Sequence, residues 1–211
     1  MPERYPTIRT VLTLRDRKRE SEAQPFTITI NVMAEGDQNQ ATRRFKSLTT
    51  SNWLEPDPVS SIFVKLSQTD GSIGPVSGED WLKQFLFPVL NESVPEEIRV
   101  LFEVARGALA YGYFFYPLYT LAGEQLYRVA EAAISAKCAM LPAPKKLWTF
   151  KHKIDFLVER NVIPSDELST WNAIRKLRNM ASHPERQSIR PPGEIAMTME
   201  RIAEKVNSLF G

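Results

Sequence analysis

Towards its C-terminal end the chain reads Leu177-Arg178-Asn179-Met180-Ala181-Ser182-His183-Pro184, a stretch that holds one of only two histidines. A guanidinium, a carboxamide and an imidazole close together suit chemistry without a metal. An imidazole, with an unperturbed pKa of about 6.5, takes up or releases a proton near neutral pH, and an arginine offers a fork of donors to an anion. Upstream, Leu168, Trp171, Ile174, Leu177 and Ala181 recur at helical spacing, so one face is apolar, while Arg175 and Arg178 share another. A residue before a proline avoids the α region, which places His183 in or just beyond the last turn. Arg178, Asn179 and His183 are therefore expected to converge on one small volume.

The spacing Arg178-Asn179-x-x-x-His183 resembles the signature of the HEPN superfamily of helical domains, an Arg followed by a polar residue and then a His five to seven positions after the Arg. The flanks Trp171-Asn-Ala-Ile-Arg-Lys-Leu-Arg-Asn and Ala-Ser-His-Pro look like the family too, and the resemblance covers about residues 93–211. It implies a metal-independent endoribonuclease that sets the 2′-hydroxyl of RNA on the neighbouring phosphate, in a defence or toxin system. In that scheme Arg178 stabilises the transition-state charge, Asn179 orients the phosphate or the imidazole, and His183 acts as acid or base. It also implies a symmetric homodimer through the motif helix, since one motif supplies a single imidazole and two motifs facing each other supply two. Proteins of this fold that bind nucleotide or RNA, or only dimerise as adaptors, form the alternative. No cofactor is implied. A third expectation needs no ligand: at a helix C-terminus the same three side chains could satisfy the last carbonyls and a neighbouring carboxylate.

Other chemistries lack their motifs. The chain has no G-x-x-x-x-G-K-[ST], no G-x-S-x-G and no H-E-x-x-H, and two distant histidines with one cysteine do not make a zinc site. His152 reads as a surface residue. The single Cys138 rules out an internal disulfide, and no leader or spanning segment is evident, so a cytoplasmic location away from membranes is the default expectation. A net charge of +2 does not of itself predict nucleic-acid binding. The distribution is more informative. Basic residues gather at Lys145-Lys146, Lys151-His152-Lys153, Arg175-Lys176-x-Arg178 and 186–190, near the motif. Arg175, Lys176, Arg186 and Lys151 are the candidates for RNA phosphates, whereas the N-terminal clusters at 15–19 and 43–46 read as solvated surface.

The elements that must position these groups point to an α+β chain, with a β-rich module over 1–78 and a HEPN-like all-helical bundle over 79–211. Ile8, Thr10, Leu12, Leu14 and then Phe26, Ile28, Ile30, Val32 alternate as in two strands, with a third over 60–66 and a linker over 70–78. Residues 1–78 name no ligand and are expected to meet a protein partner. Thereafter the period becomes helical. A stripe at Trp81, Leu82, Phe85, Leu86 and Val89 comes first, then a helix from the capping box Ser93-Val-Pro-Glu96. An aromatic block over 111–119, read as a core plug, interrupts it at Pro117. Further helices follow over 118–137 (with Leu121 inward and Glu124, Arg128 and Glu131 outward), 147–160, 166–182 and about 195–209.

Overall fold

The computed structural model describes residues 8–13, 27–32, 46–66, 71–142, 149–183 and 189–211. It is a mixed α+β chain, mostly helical, that divides into two compact units: residues up to Leu82 with Tyr113–Tyr116, and residues 83–112 with 117–211. Leu14, Phe26, the connection over 15–24, Arg43, Arg44, Lys145, Lys146, Leu147 and Arg186 lie outside the described residues.

In the first unit, β1 (Ile8–Thr13), β2 (Thr27–Val32), β3 (Val64–Leu66) and β4 (Ile73–Pro75) form an antiparallel sheet in chain order. The β1–β2 register sets Ile8 opposite Val32 and Thr13 opposite Thr27. Two expectations are corrected here. Residues 60–62, read as the start of a strand, form a 3₁₀ turn capped by Phe63 N–H to Ser60 O. The stretch read as linker contains β4, whose Ile73 and Gly74 pair with Leu66 and Lys65. Glycine and proline weaken a strand but are compatible with a three-residue edge, where only one side needs its ladder.

The core of this unit stacks Phe63 on Trp81, with ring centroids 4.8 Å apart, beside buried Tyr113 and Tyr116. Tyr113 donates its hydroxyl proton to Val76 O at 2.8 Å. Those two tyrosines plug a core as expected, but Tyr111 of the same block is exposed. Asp57, fully buried, accepts from the backbone N–H groups of Lys46, Val59 and Tyr116. Such charge-assisted bonds are what allow a carboxylate to lie in a core.

The expected stripe over 81–89 becomes a shorter helix, α1 (Gly78–Lys83). Ser77 caps it by accepting from Asp80 N–H at 3.1 Å, and Asp80 accepts in turn from Ser77 Oγ and from Lys65 Nζ at 2.6 Å. The bond from Lys65, and then that from Ser77, hold the Asp80 carboxyl below its ordinary range. A lowered folded-state pKa stabilises above the unfolded value of about 3.9 and is lost as pH falls through the folded value.

The second unit holds α2 (Glu96–Tyr111), α3 (Leu118–Ala139), α4 (Phe150–Glu159), α5 (Leu168–Ala181) and α6 (Pro192–Phe210). The capping box expected at Ser93 does not form. Pro95 is the N-cap of α2 and no side chain bonds there; Pro95 O instead receives the N–H groups of Ile98 and Arg99. Proline at this position already has the dihedral a helix start needs. Arg106, on the inner side of α2, donates to Phe85 O and to Pro88 O and is nearly buried. That is where the apolar residues after α1 are tied down although they are not helical.

Helix α3 is the centre of this unit, with α2, α4, α5 and α6 all packed on it. Its buried face contains Ala122, Gly123, Leu126, Val129, Ala130, Ala133 and Ile134. Leu121, expected inward, is exposed, while Tyr119 and Ala122 on either side of it along the helix are buried. Of the apolar face expected for α5, Trp171 and Ile174 are buried while Leu168, Leu177 and Ala181 are only half-buried; that of α6 (Ile195, Met199, Ile202, Val206, Leu209) is buried.

Two outcomes test this packing. Asp80→Asn should lower stability by under about 1 kcal/mol at pH 7, as for a partly exposed pair, with the difference closing in melts taken towards pH 2. Gly112, just after α2, has an ordinary φ of −55°, but a Cβ there would reach 2.7 Å from Tyr119 Cζ in the core. Gly112→Ala should therefore cost about 1–3 kcal/mol through overpacking, read as a lower melting temperature.

Candidate functional site

Helix α5 follows a 3₁₀ turn at Ser165–Glu167, and Glu167 N–H bonds to Pro164 O. Glu167 is the N-cap of α5, and no side chain bonds there. What anchors this end is a tertiary contact, Lys205 Nζ of α6 donating to Glu167 Oε1 at 2.9 Å. That bond, above all, raises the Lys205 pKa.

At the other end the helix runs out where the proline rule places it. Ser182 N–H bonds to Asn179 O and His183 N–H to Met180 O, so the chain closes in two tight turns, and Ser182 Oγ donates back to Arg178 O at 3.1 Å. His183 follows the last helical residue and is exposed. Asn179, also exposed, lies on the adjacent side of the final turn.

Arg178 turns inward to α3. Its Nε donates to Glu131 Oε2 at 2.7 Å, with the arginine side chain 38% and the glutamate 28% exposed. Glu131, expected to face outward, is thus the carboxylate that holds the motif arginine. The contact joins residues far apart in sequence, so no spacing rule could have found it. It orients the guanidinium while leaving the side chain accessible.

Of the remaining candidates, Arg186 lies outside the described residues. Arg175 is half-buried and its Nε donates to Asn172 Oδ1 of the same helix at 3.2 Å; Lys176 is exposed. Lys151, on the first turn of α4, pairs with Asp155 at 2.5 Å. His152 is exposed, as expected, and its N–H is capped by Thr149 Oγ1. The sequence had not singled out Ser135 of α3. Its hydroxyl donates to Glu131 O and accepts from Lys153 Nζ of α4, each at 2.8 Å. Cys138, one turn further on, faces Lys153 O, and burial raises its thiol pKa, which keeps it protonated and unreactive.

Among the described residues no group of three histidine, cysteine or acidic side chains could hold a metal, and no helix is long and apolar enough to cross a membrane. No family model, characterised protein or solved structure matches the chain.

The pair at the centre of the site is measurable. Because both partners are partly exposed, Glu131→Gln and Arg178→Gln should each cost little, and a double-mutant cycle should give a coupling of about 0.2–1 kcal/mol, shrinking in high salt. A coupling of several kcal/mol would mean that the pair is far less hydrated than its exposure indicates.

Proposed function

We propose that this protein is a metal-independent endoribonuclease of HEPN type, acting as a symmetric homodimer through α5. The observation that carries the reading is the end of α5, where Arg178 is held by Glu131 yet accessible and His183 is exposed five residues on. This suits recognition of a phosphodiester by a guanidinium beside an imidazole that can exchange a proton.

The 2′-oxygen of RNA forms a bond to phosphorus as the bond from phosphorus to the 5′-oxygen breaks, giving a 2′,3′-cyclic phosphate and a 5′-hydroxyl. One His183 takes the 2′-hydroxyl proton, and the copy of the same histidine in the other protomer protonates the departing oxygen. Arg178 meets the charge on the pentacoordinate phosphorus. Two opposed arginines would repel each other, and the Glu131 carboxylates reduce that repulsion before RNA arrives.

The same ion pair favours a second reading, in which Arg178 serves the bundle and the dimer binds RNA or nucleotide without cutting it. Incubation with RNA in EDTA separates the two. Cleavage should persist, yield cyclic-phosphate ends, and fall at least about 100-fold in Arg178→Ala and His183→Ala. Cleavage that EDTA abolishes, or that both variants retain, defeats the nuclease reading. Salt-sensitive binding without cleavage supports the second.

A further inference from the structure

We infer that Lys153 binds RNA beside Arg178, taking the phosphodiester next to the one that the arginine holds; this rests on the reading above that the site receives RNA.

Three observations lead there. Glu131 and Ser135 stand four residues apart on α3, hence on one face and about 6 Å apart along its axis. Each holds a cation from a different helix: Glu131 receives Arg178 of α5, and Ser135 receives Lys153 of α4 at 2.8 Å. Helix α3 therefore aligns two positive side chains, one turn apart, on the same side. Consecutive phosphates on one strand rise about 3.4 Å per nucleotide and are also offset sideways as the strand winds, so their separation is comparable with that distance.

The second observation is the chemistry of the two supports. Arg178 is paired with a carboxylate, whereas Ser135 is neutral and its proton is already given to Glu131 O. Among the described residues no carboxylate pairs with Lys153. The ammonium has three N–H groups and no carboxylate beside it among the described residues, so an anion gains more here than at Lys151, which pairs with Asp155.

The third is the position in α4. Lys151, His152 and Lys153 occupy the start of this helix, and its first turn contains no acidic residue. Cations are unfavourable at a helix N-terminus, where the backbone N–H groups already present positive charge. A bound phosphate would turn that local cost into a gain. Neighbouring phosphates on one strand are thus the class of ligand that both cations fit.

The test uses the full chain and a non-cleavable 2′-O-methyl RNA decamer, with binding followed by fluorescence anisotropy across a salt series. Lys153→Gln should weaken binding several-fold and lower the slope of log K against log salt by about 0.7, the value for one phosphate contact on a single strand. Lys153→Arg should restore the slope. A dinucleotide with one phosphodiester should compete equally well for the wild type and Lys153→Gln, since it reaches Arg178 alone. An unchanged slope, or an equal loss in Arg201→Gln on the exposed side of α6, overturns the inference while cleavage by the wild type still stands. A lower melting temperature with the slope intact makes Lys153 structural and overturns it as well. Wild-type binding without cleavage removes the nuclease reading but leaves the Lys153 slope as the deciding measurement; no binding by the wild type removes both.

Discussion

Close approach to α3 is the constraint from which the helical unit follows. Its buried face alternates small residues (Ala122, Gly123, Ala130, Ala133) with Leu126, Val129 and Ile134. A helix with so little side chain on one side lets a neighbour's backbone come near, and contact area grows as the gap closes. Gly123 is one such close approach. A Cβ there would reach 2.9 Å from Ile195 Cδ1 of α6, and Ile195 is fully buried. Four other helices depend on α3 in this way, so its orientation decides where their ends fall.

The same helix carries the polar part of the arrangement. The side of α3 that is not sealed by small residues presents Glu131 and Ser135, and these receive side chains from α5 and α4. Neither contact contributes much stability, since both are partly hydrated. Their effect is on direction. A long arginine or lysine has many rotamers in solution, and a bond to a rigid helix removes most of them in advance, so that less entropy is lost when an anion binds. The apolar contacts supply the free energy of the fold, and the polar ones set the aim of its cations.

Much of this was readable in the order of the residues. The stripes of α5 and α6 follow from the 3.6 period, because burial of an apolar face is a local pattern that any core imposes. The end of α5 just before Pro184 follows from proline geometry, whereas the break expected at Pro117 comes earlier, since α2 ends at Tyr111 and Pro117 is the N-cap of α3. Errors fell where local signals compete with weak tertiary ones. Phe85, Leu86 and Val89 have helical spacing, yet the chain there supplies carbonyls to buried Arg106 and is not helical. Ser93 and Glu96 spell a cap, but Pro95 starts the helix with its own dihedral and leaves the box unused. Ile73–Pro75 looks like a linker because glycine and proline punctuate it, whereas an edge strand tolerates both.

The motif divides along the same line. Its residue types, their spacing and their place at a helix end are properties of consecutive residues, and they were legible from Arg178, Asn179 and His183 alone. The partner of Arg178 was not, since Glu131 meets it only after two helices have packed, and a charged residue on a helix gives no sign of whether it will face water or another element. Nor could Lys153 be told from Lys151 two positions away. A step of two residues turns the side chain by about 200° on a helix, so one meets Ser135 on α3 and the other Asp155 on its own helix. Periodicity says which residues share a face; only the packing of α4 and α5 on α3 says what that face meets.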